Sequence, residues 1–90
     1  MNRRTVHFSG HVQGVGFRFL VLQMSRRFSV LRGFVRNLSD GRVEMVVEGP
    51  DGSITEFIEE VKERMSGYID SSDERVDPAT GEFRSFEIRR

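Results

Sequence analysis

Apolar residues recur along the first third of the chain in an order that predicts a strand, a helix and a second strand. Val6 and Phe8 alternate with polar neighbours and predict a strand over residues 4–11. A broad apolar face that takes in Phe19 recurs at helical spacing and predicts a helix over residues 17–29. Residues 31–38 are again apolar and β-prone, so the chain is expected to begin β-α-β.

A hairpin and a second helix are predicted in the middle of the chain. Asp40-Gly41 is typical of a tight hairpin turn, and it separates the second strand from a third strand over residues 42–48. Ser53 and Glu56 have the spacing of a capping box, which predicts that a helix begins there and continues to Met65. The acidic residues of this helix are expected on its solvated outer face.

The last third of the chain predicts a clear final strand and a doubtful one before it. Residues 83–88 alternate as a strand does, whereas residues 66–77 are polar, so a strand there is expected to be short, frayed or displaced to an edge. The order β-α-β-β-α-β with an additional strand predicts a ferredoxin-like α+β sandwich, with two helices on one face of a mostly antiparallel sheet. This fold serves enzymes, RNA-binding domains and regulatory modules alike.

The composition of the chain limits the classes of protein to which it could belong. Ninety residues with 37% hydrophobic content and eight Phe predict one small domain over residues 1–90. The chain has no Cys, so it has neither disulfides nor a thiolate site. It also shows no apolar run long enough to cross a membrane and no apolar signal segment. We therefore expect a soluble cytoplasmic protein, with a monomer as the simplest state.

Charge is distributed unevenly, although the formal net charge is zero. Residues 1–45 hold eight Arg against two acidic residues, and residues 46–90 hold six basic residues against twelve acidic ones. The basic half favours a small anionic ligand, unless the fold intermixes the charges. The zero total disfavours a dedicated nucleic-acid binder.

The junction between the first strand and the first helix carries the segment Gly10-His11-Val12-Gln13-Gly14-Val15-Gly16-Phe17-Arg18. A helix start offers backbone N–H groups without partners and the positive end of the helix dipole, and glycines let that backbone curl around a ligand. Arg18 in the first turn can bind two oxygens of a phosphate or carboxylate. The segment predicts an anion-binding cradle, but its residues alone fit a plain tight turn with a solvated arginine equally well. Its spacing matches neither a Walker loop nor a dinucleotide fingerprint.

Asn37 is the second candidate, because it is predicted to lie at the end of the second strand. Its amide can donate and accept hydrogen bonds, so it could orient a water molecule, although Asn before a turn more often serves the turn itself. His11 could contact a ligand from the loop, while His7 and His11 lack the spacing of a helical metal pair. We find no evident nucleophile, metal cluster or acid–base pair.

Taken together, these two segments resemble the signatures of the acylphosphatase family. The first signature, G-x-V-Q-G-V-x-F-R, is matched by Gly10 to Arg18. The second is matched by Gly33-Phe34-Val35-Arg36-Asn37 with Gly41, Val43 and Gly49. The resemblance spans nearly the whole chain, with two departures: residues 66–77 are more polar than the family's strand, and Phe28-Ser29-Val30-Leu31 stands where the family has Leu-Gly-Leu at the end of the first helix. The missing glycine removes a favourable C-cap and predicts an irregular helix end.

The resemblance implies a hydrolase that cleaves acyl phosphates to a carboxylate and inorganic phosphate without a metal or cofactor. It implies that Arg18 binds the phosphoryl group and that Asn37 orients the attacking water. The backbone amides expected around the phosphoryl group belong to His11, Val12, Gln13, Gly14, Val15 and Gly16. The implied partners are the acyl phosphate and inorganic phosphate, as product and inhibitor, with neither nucleic acid nor membrane.

Two other functions remain open at the level of the sequence. The same cradle could serve a non-catalytic regulatory module that binds phosphate or carbamoyl phosphate. An RNA-binding domain of this fold is disfavoured, because Phe8 stands alone on the first predicted strand and the third has no aromatic residue for base stacking.

Overall fold

Five strands and two helices make up the computed structural model, which describes all of residues 1–90. They are β1 (Asn2–Gly10), α1 (Phe17–Ser25), β2 (Arg32–Asn37), β3 (Val43–Gly49), α2 (Asp51–Arg64), β4 (Ile69–Pro78) and β5 (Phe86–Arg89). The strands lie in the order β4-β1-β3-β2-β5, and all neighbours are antiparallel except β2 and β5. The ferredoxin-like arrangement with an additional strand is therefore confirmed. Neither helix has the length and apolarity that a membrane span requires.

The main core lies between the two helices and one face of the sheet. Successive side chains of a strand point to opposite faces, and the register places Val6, Met45 and Val35 side by side on the core face of β1, β3 and β2. Phe17 of α1 and Phe57 of α2 belong to the same buried cluster. Both helices therefore cover the same face, as predicted.

The opposite face of the sheet is covered in part by the segment between β4 and β5. Phe83 of this segment is buried against Phe34, with their ring centroids 5.8 Å apart, and Val46 completes a second small core. The predicted final strand over residues 83–88 is therefore wrong at its start, because Phe83 packs on the face of the sheet and β5 begins at Phe86.

Glu48 holds this covering segment in place. Its side chain is only 7% exposed, and it accepts hydrogen bonds from the backbone N–H groups of Thr80 (2.9 Å) and Gly81 (3.0 Å) and from Nε of Arg3 (2.7 Å). Burial alone would raise the pKa of Glu48, but these hydrogen bonds outweigh it and hold the pKa below its ordinary value. The charged form of Glu48 is thus the one that stabilises the fold.

We expect Glu48→Gln to lower the free energy of unfolding at pH 7 by about 2 kcal/mol, because an amide cannot accept from all these donors. For a domain of this size, that corresponds to a decrease of about 10 °C in Tm. Since folding depresses the pKa of Glu48, its contribution is present at neutral pH and is lost as the pH falls below about 4. Denaturant unfolding at pH 7 and pH 3 should therefore show a difference that shrinks in acid.

The matched control for this experiment is Glu87→Gln, because Glu87 is half exposed and pairs only with Arg89 on the surface of β5. Such a pair contributes about 0–1 kcal/mol. An equal loss for the two variants, or a loss in Glu48→Gln that persists unchanged at pH 3, would contradict the role assigned to the Glu48 carboxylate.

The first helix ends earlier than expected. It stops at Ser25 rather than near residue 29, and its C-cap Arg26 keeps a right-handed conformation (φ −65°) where a glycine cap would be left-handed. Three further backbone bonds, from the N–H groups of Arg27, Phe28 and Leu31, close successive turns before β2. The irregular end that the missing glycine predicted is therefore present.

The second helix begins at Asp51 and not at the predicted capping box. Pro50 is the N-cap residue (φ −61°, ψ 134°), and no side chain caps the helix. The capping-box prediction is wrong because proline is already set at a helix-compatible φ, so the chain enters the helix two residues before Ser53. Asp51 lies in the first turn, where a negative charge suits the helix dipole, and it pairs with Arg4.

The polar segment after α2 forms the longest strand. β4 spans ten residues and pairs antiparallel with all of β1, so the prediction of a short or frayed strand is wrong, whereas its edge position is confirmed. Its main-chain hydrogen bonds to β1 do not depend on side-chain polarity, and most of its side chains are exposed. Polar and charged residues of this kind suit an exposed edge strand.

Candidate active site

A glycine-rich loop joins β1 to α1 and forms one wall of a cleft of about 190 Å³. Gly14 and Gly16 have φ values of 77° and 80°, a left-handed conformation in which a side chain would be strained. Gly16 is also the N-cap residue of α1. The two glycines therefore turn the chain from the loop directly into the helix. The residues that line the cleft are Val12, Gly14, Gly16, Phe17, Arg18, Phe19, Asn37, Ile88 and Arg90.

A row of free backbone donors runs through this loop. No backbone N–H group from Val12 to Phe19 donates a hydrogen bond within the chain. The positive end of the α1 dipole lies at the same place, and no acidic residue occupies the first turn of the helix. Donors of this kind require an acceptor, and an anion with several oxygens provides one.

Arg18 adds a full positive charge to the cleft. The side chain is half-buried in the first turn of α1, yet it forms no ion pair and no hydrogen bond within the protein. Arg90 is the other cation in the cleft, whose lining includes no Asp, Glu or His. The guanidinium of Arg18 is therefore free to bind oxygens of a ligand in a bidentate manner.

Asn37 faces the cleft from the end of β2. It lies opposite Val43 in the register and on the same strand face as Val35, and both valines are in the main core. Its side chain therefore points to the helix side of the sheet, and it is one of the residues that line the cleft.

The hairpin turn that follows β2 does not use the Asn37 side chain. Leu38 N–H donates to the carbonyl of Arg42 (2.8 Å), and Gly41 N–H donates to the carbonyl of Leu38 (3.2 Å). The Asp40 carboxylate accepts from Arg42 N–H (3.1 Å), as a turn residue commonly does. Asp40 and the backbone thus close the turn, and the amide of Asn37 is left for the cleft.

Gln13 fastens the loop to this hairpin. Its Nε2 group donates to the carbonyls of Leu38 (2.8 Å) and Arg42 (2.9 Å), which uses both of its amide hydrogens. The side chain of Gln13 does not line the cleft, so its role in the structure is to hold the glycine loop beside Asn37.

His11 must be removed from the predicted cradle. Its backbone N–H donates to the carbonyl of Tyr68 (2.9 Å), its ring lies near that of Tyr68, and it does not line the cleft. Gly10 allows these two segments of the chain to approach so closely, because a Cβ atom at position 10 would overlap the carbonyl oxygen of Tyr68. Val15 packs against the main core and likewise does not line the cleft. Of the predicted residues, the structure brings Val12, Gly14, Gly16, Arg18 and Asn37 together.

Four residues that line the cleft were not among the predicted site residues, namely Phe17, Phe19, Ile88 and Arg90. Phe19 was assigned to the apolar face of α1, but it is 60% exposed, whereas Phe17 and Val21 point into the core. Its position, two residues from both Phe17 and Val21 and thus on the opposite side of the helix, was the signal that could have found it. Ile88 and Arg90 reach the cleft because β5 pairs with β2 in parallel, a pairing that no local pattern indicates. No group of three or more His, Asp or Glu is placed to hold a metal ion.

The fold and the cleft define a ferredoxin-like α+β sandwich with an oxyanion-binding site at a strand–helix junction. The sequence model of the family described as Acylphosphatase matches residues 4–88. The chain therefore belongs to the acylphosphatase family, whose members are enzymes that act on small acyl phosphates.

Curated relatives match over nearly the whole chain. An acylphosphatase of Arthrobacter sp. (strain FB24) is 41% identical over 87 residues, which cover 96% of this chain and 79% of the relative. One of Caldanaerobacter subterraneus subsp. tengcongensis is 38% identical over 89 residues, which cover 96% of this chain and 98% of the relative.

Solved structures show the same likeness. The crystal structure of an acylphosphatase from Bacillus subtilis superposes with a TM-score of 0.88 at 29% identity, and the match covers all of both chains. A crystal structure of full-length HypF in a phosphate- and nucleotide-bound form has a TM-score of 0.87 at 35% identity, covering 99% of this chain but only 12% of HypF. The match therefore corresponds to a small part of the much larger HypF chain.

Proposed function

We propose that the cleft hydrolyses the carboxyl–phosphate bond of acyl phosphates. In this proposal, Arg18 and the loop amides bind the phosphoryl group, and Asn37 orients the attacking water. One observation supports it most directly, namely the unpartnered N–H groups from Val12 to Phe19 beside an Arg18 that has no ion pair. A phosphoryl group brings several acceptor oxygens and negative charge, which match these donors.

The donors would act mainly on the transition state. As the phosphoryl group moves from one oxygen to another, its charge spreads over three equatorial oxygens. Donors that are already in place stabilise this charge without reorganising, and they act more strongly in a cleft than in bulk water. The fixed loop glycines and the anchored Gln13 support such preorganisation.

Asn37 would hold the water in line with the bond that breaks. Its amide oxygen can accept a hydrogen bond from the water, and its NH₂ group can donate to a phosphoryl oxygen. The water oxygen then bonds to phosphorus as the bond from phosphorus to the acyl oxygen breaks, and the electron pair leaves with the carboxylate. Because a carboxylate is a good leaving group, no general acid is needed, and the water proton passes to a phosphoryl oxygen.

The acyl group would lie on the outer side of the cleft. Phe19 and Ile88 present apolar surface there, and Arg90 adds a cation at the rim. Because these groups would contact the acyl chain on only a few sides, they support broad specificity for the acyl group. The open rim is consistent with a site that recognises chiefly the phosphoryl end.

Benzoyl phosphate hydrolysis by the wild-type protein tests this function, with EDTA present and inorganic phosphate as inhibitor. We expect release of benzoate and phosphate and competitive inhibition by inorganic phosphate, because both ligands would use the same donors. Phosphate binding without hydrolysis would instead support the non-catalytic module.

We also propose that residues 1–90 form one domain that acts as a monomer. The strands of a single sheet run from Asn2 to Arg89, and the main core is buried within one chain. The cytoplasmic location stays a prediction of the sequence.

A further inference from the structure

Five of the six arginines without an acidic partner line two grooves of the molecule. Eight of the fourteen basic side chains lie within ion-pair distance of a carboxylate. The six that do not are Arg18, Arg26, Arg32, Arg64, Arg84 and Arg90. Two of them line the cleft described above, and three line one other groove. The unpaired arginines are therefore grouped rather than scattered.

The second groove lies beyond the C-terminal end of α1 and has a volume of about 430 Å³. Its cations are Arg26, Arg32 and Arg84, and no Asp or Glu lines it. The hydroxyl groups of Ser29 and Ser85 also lie there and form no hydrogen bond within the chain. Three arginines and two serines with free hydroxyl groups therefore line the groove without a carboxylate. Arg32 and Arg84 also border neighbouring grooves, which contain Glu48 and Glu82.

The fold itself leaves these arginines unpaired. Arg32 is opposite Glu48 in the β2–β3 register, but that carboxylate is already occupied by Arg3 and by the segment after β4. Arg26 is the C-cap residue of α1, where the negative end of the helix dipole stabilises a cation. Arg84 lies in the connection just before β5.

The groove is distinct from the glycine-loop cleft. The two share no lining residue, although α1 and β5 contribute to both, with Phe19 and Ile88 in the cleft and Leu22 and Phe86 in the groove. Five carboxylates are unpaired as well. They are Glu56, Glu59 and Glu63 of α2, with Asp70 and Asp73 of β4 at the opposite edge of the sheet from β5. None of these carboxylates lines either groove.

We propose that this groove is a second anion site, which binds an oligophosphate, a small ligand with two or more linked phosphoryl groups. A single phosphate would not satisfy three guanidinium groups, each of which can bind two oxygens. The hydroxyl groups of Ser29 and Ser85 are two further donors for phosphate oxygens. The three arginines line a single groove of about 430 Å³, a size that favours a small ligand over a nucleic-acid strand.

Calorimetric titration with inorganic tripolyphosphate tests the site. The Arg18→Ala variant is the background, so that binding in the glycine-loop cleft is weakened while the groove is intact. We expect about one equivalent of tripolyphosphate to bind. Arg32→Gln combined with Arg84→Gln should then weaken binding about tenfold or more. Arg84→Gln alone serves as a milder variant, because Arg84 is exposed in a connecting segment.

The matched control is Arg64→Gln, which removes an exposed and unpaired arginine outside the groove. It should change the affinity by no more than about twofold. Three results would overturn the proposal: no binding in the Arg18→Ala background, an equal loss in the Arg64 variant, or tighter binding of single-stranded RNA than of tripolyphosphate. Because the titration measures no hydrolysis, its outcome is independent of whether the proposed function is correct.

Discussion

Arg18→Ala is expected to reduce kcat/KM for benzoyl phosphate by about a thousandfold or more, the scale seen when a preorganised donor to a transferring phosphoryl group is removed. The side chain is half-buried at the start of α1 and has no partner in the protein, so its removal breaks no hydrogen bond or ion pair of the fold. Phosphoryl charge in the transition state would then be stabilised by backbone amides alone. Inorganic phosphate should also cease to inhibit, which is measured from the competitive inhibition constant.

Two variants make this prediction specific. Arg18→Lys keeps the positive charge but loses the planar, bidentate donor pair, so we expect an intermediate rate. Arg64→Ala removes another unpaired arginine that does not line the cleft and should leave the rate unchanged. If Arg18→Ala retained wild-type activity and phosphate inhibition, Arg18 would not be the phosphoryl ligand.

Asn37→Ala is expected to lower kcat for benzoyl phosphate by about a hundredfold or more, because a water that is no longer held in line reacts from many unproductive positions. The turn after β2 is closed by Asp40 and the backbone, so this substitution should not disturb the hairpin. Inhibition by inorganic phosphate should persist, since Arg18 and the loop amides remain. Steady-state kinetics with and without phosphate separate the two effects.

Asn37→Asp provides the complementary control. It keeps the shape of the side chain but adds a negative charge to a cleft whose ionisable lining side chains are Arg18 and Arg90. We expect it to weaken phosphate inhibition as well as catalysis, because like charges repel. An Asn37→Ala variant with unchanged kcat would contradict the water-orienting role, whatever the result for Arg18.

The sequence predicted the framework of the site well, because the signals that carry it are local. Glycines at positions 14 and 16 are needed for left-handed backbone, and both adopt it. The change from alternating to helical apolar spacing located the strand–helix junction to within a residue at Phe17. Asn37 was correctly placed at the end of β2, because the turn at Asp40-Gly41 ends that strand.

Other features escaped the sequence because they depend on contacts between distant segments. The amide of His11 was counted among the phosphate donors, but Tyr68, far along the chain, occupies it. Ser53 and Glu56 have the spacing of a capping box, but the helix begins two residues before Ser53, with Pro50 as its N-cap residue. Polar β4 lacked an apolar pattern, yet main-chain pairing with β1 makes it the longest strand.

By itself, the sequence determined the β-α-β-β-α-β order, the glycine loop with Arg18, and the placement of Asn37 at a strand end. Each of these features follows from the backbone preferences of a few residues or from the spacing of apolar residues within a short segment. The tertiary structure alone decided that the Gln13 amide anchors the loop beside Asn37, and that Phe19, Ile88 and Arg90 complete the cleft. It also decided which arginines are left without a carboxylate, because ion pairing depends on which strands and helices are neighbours in space.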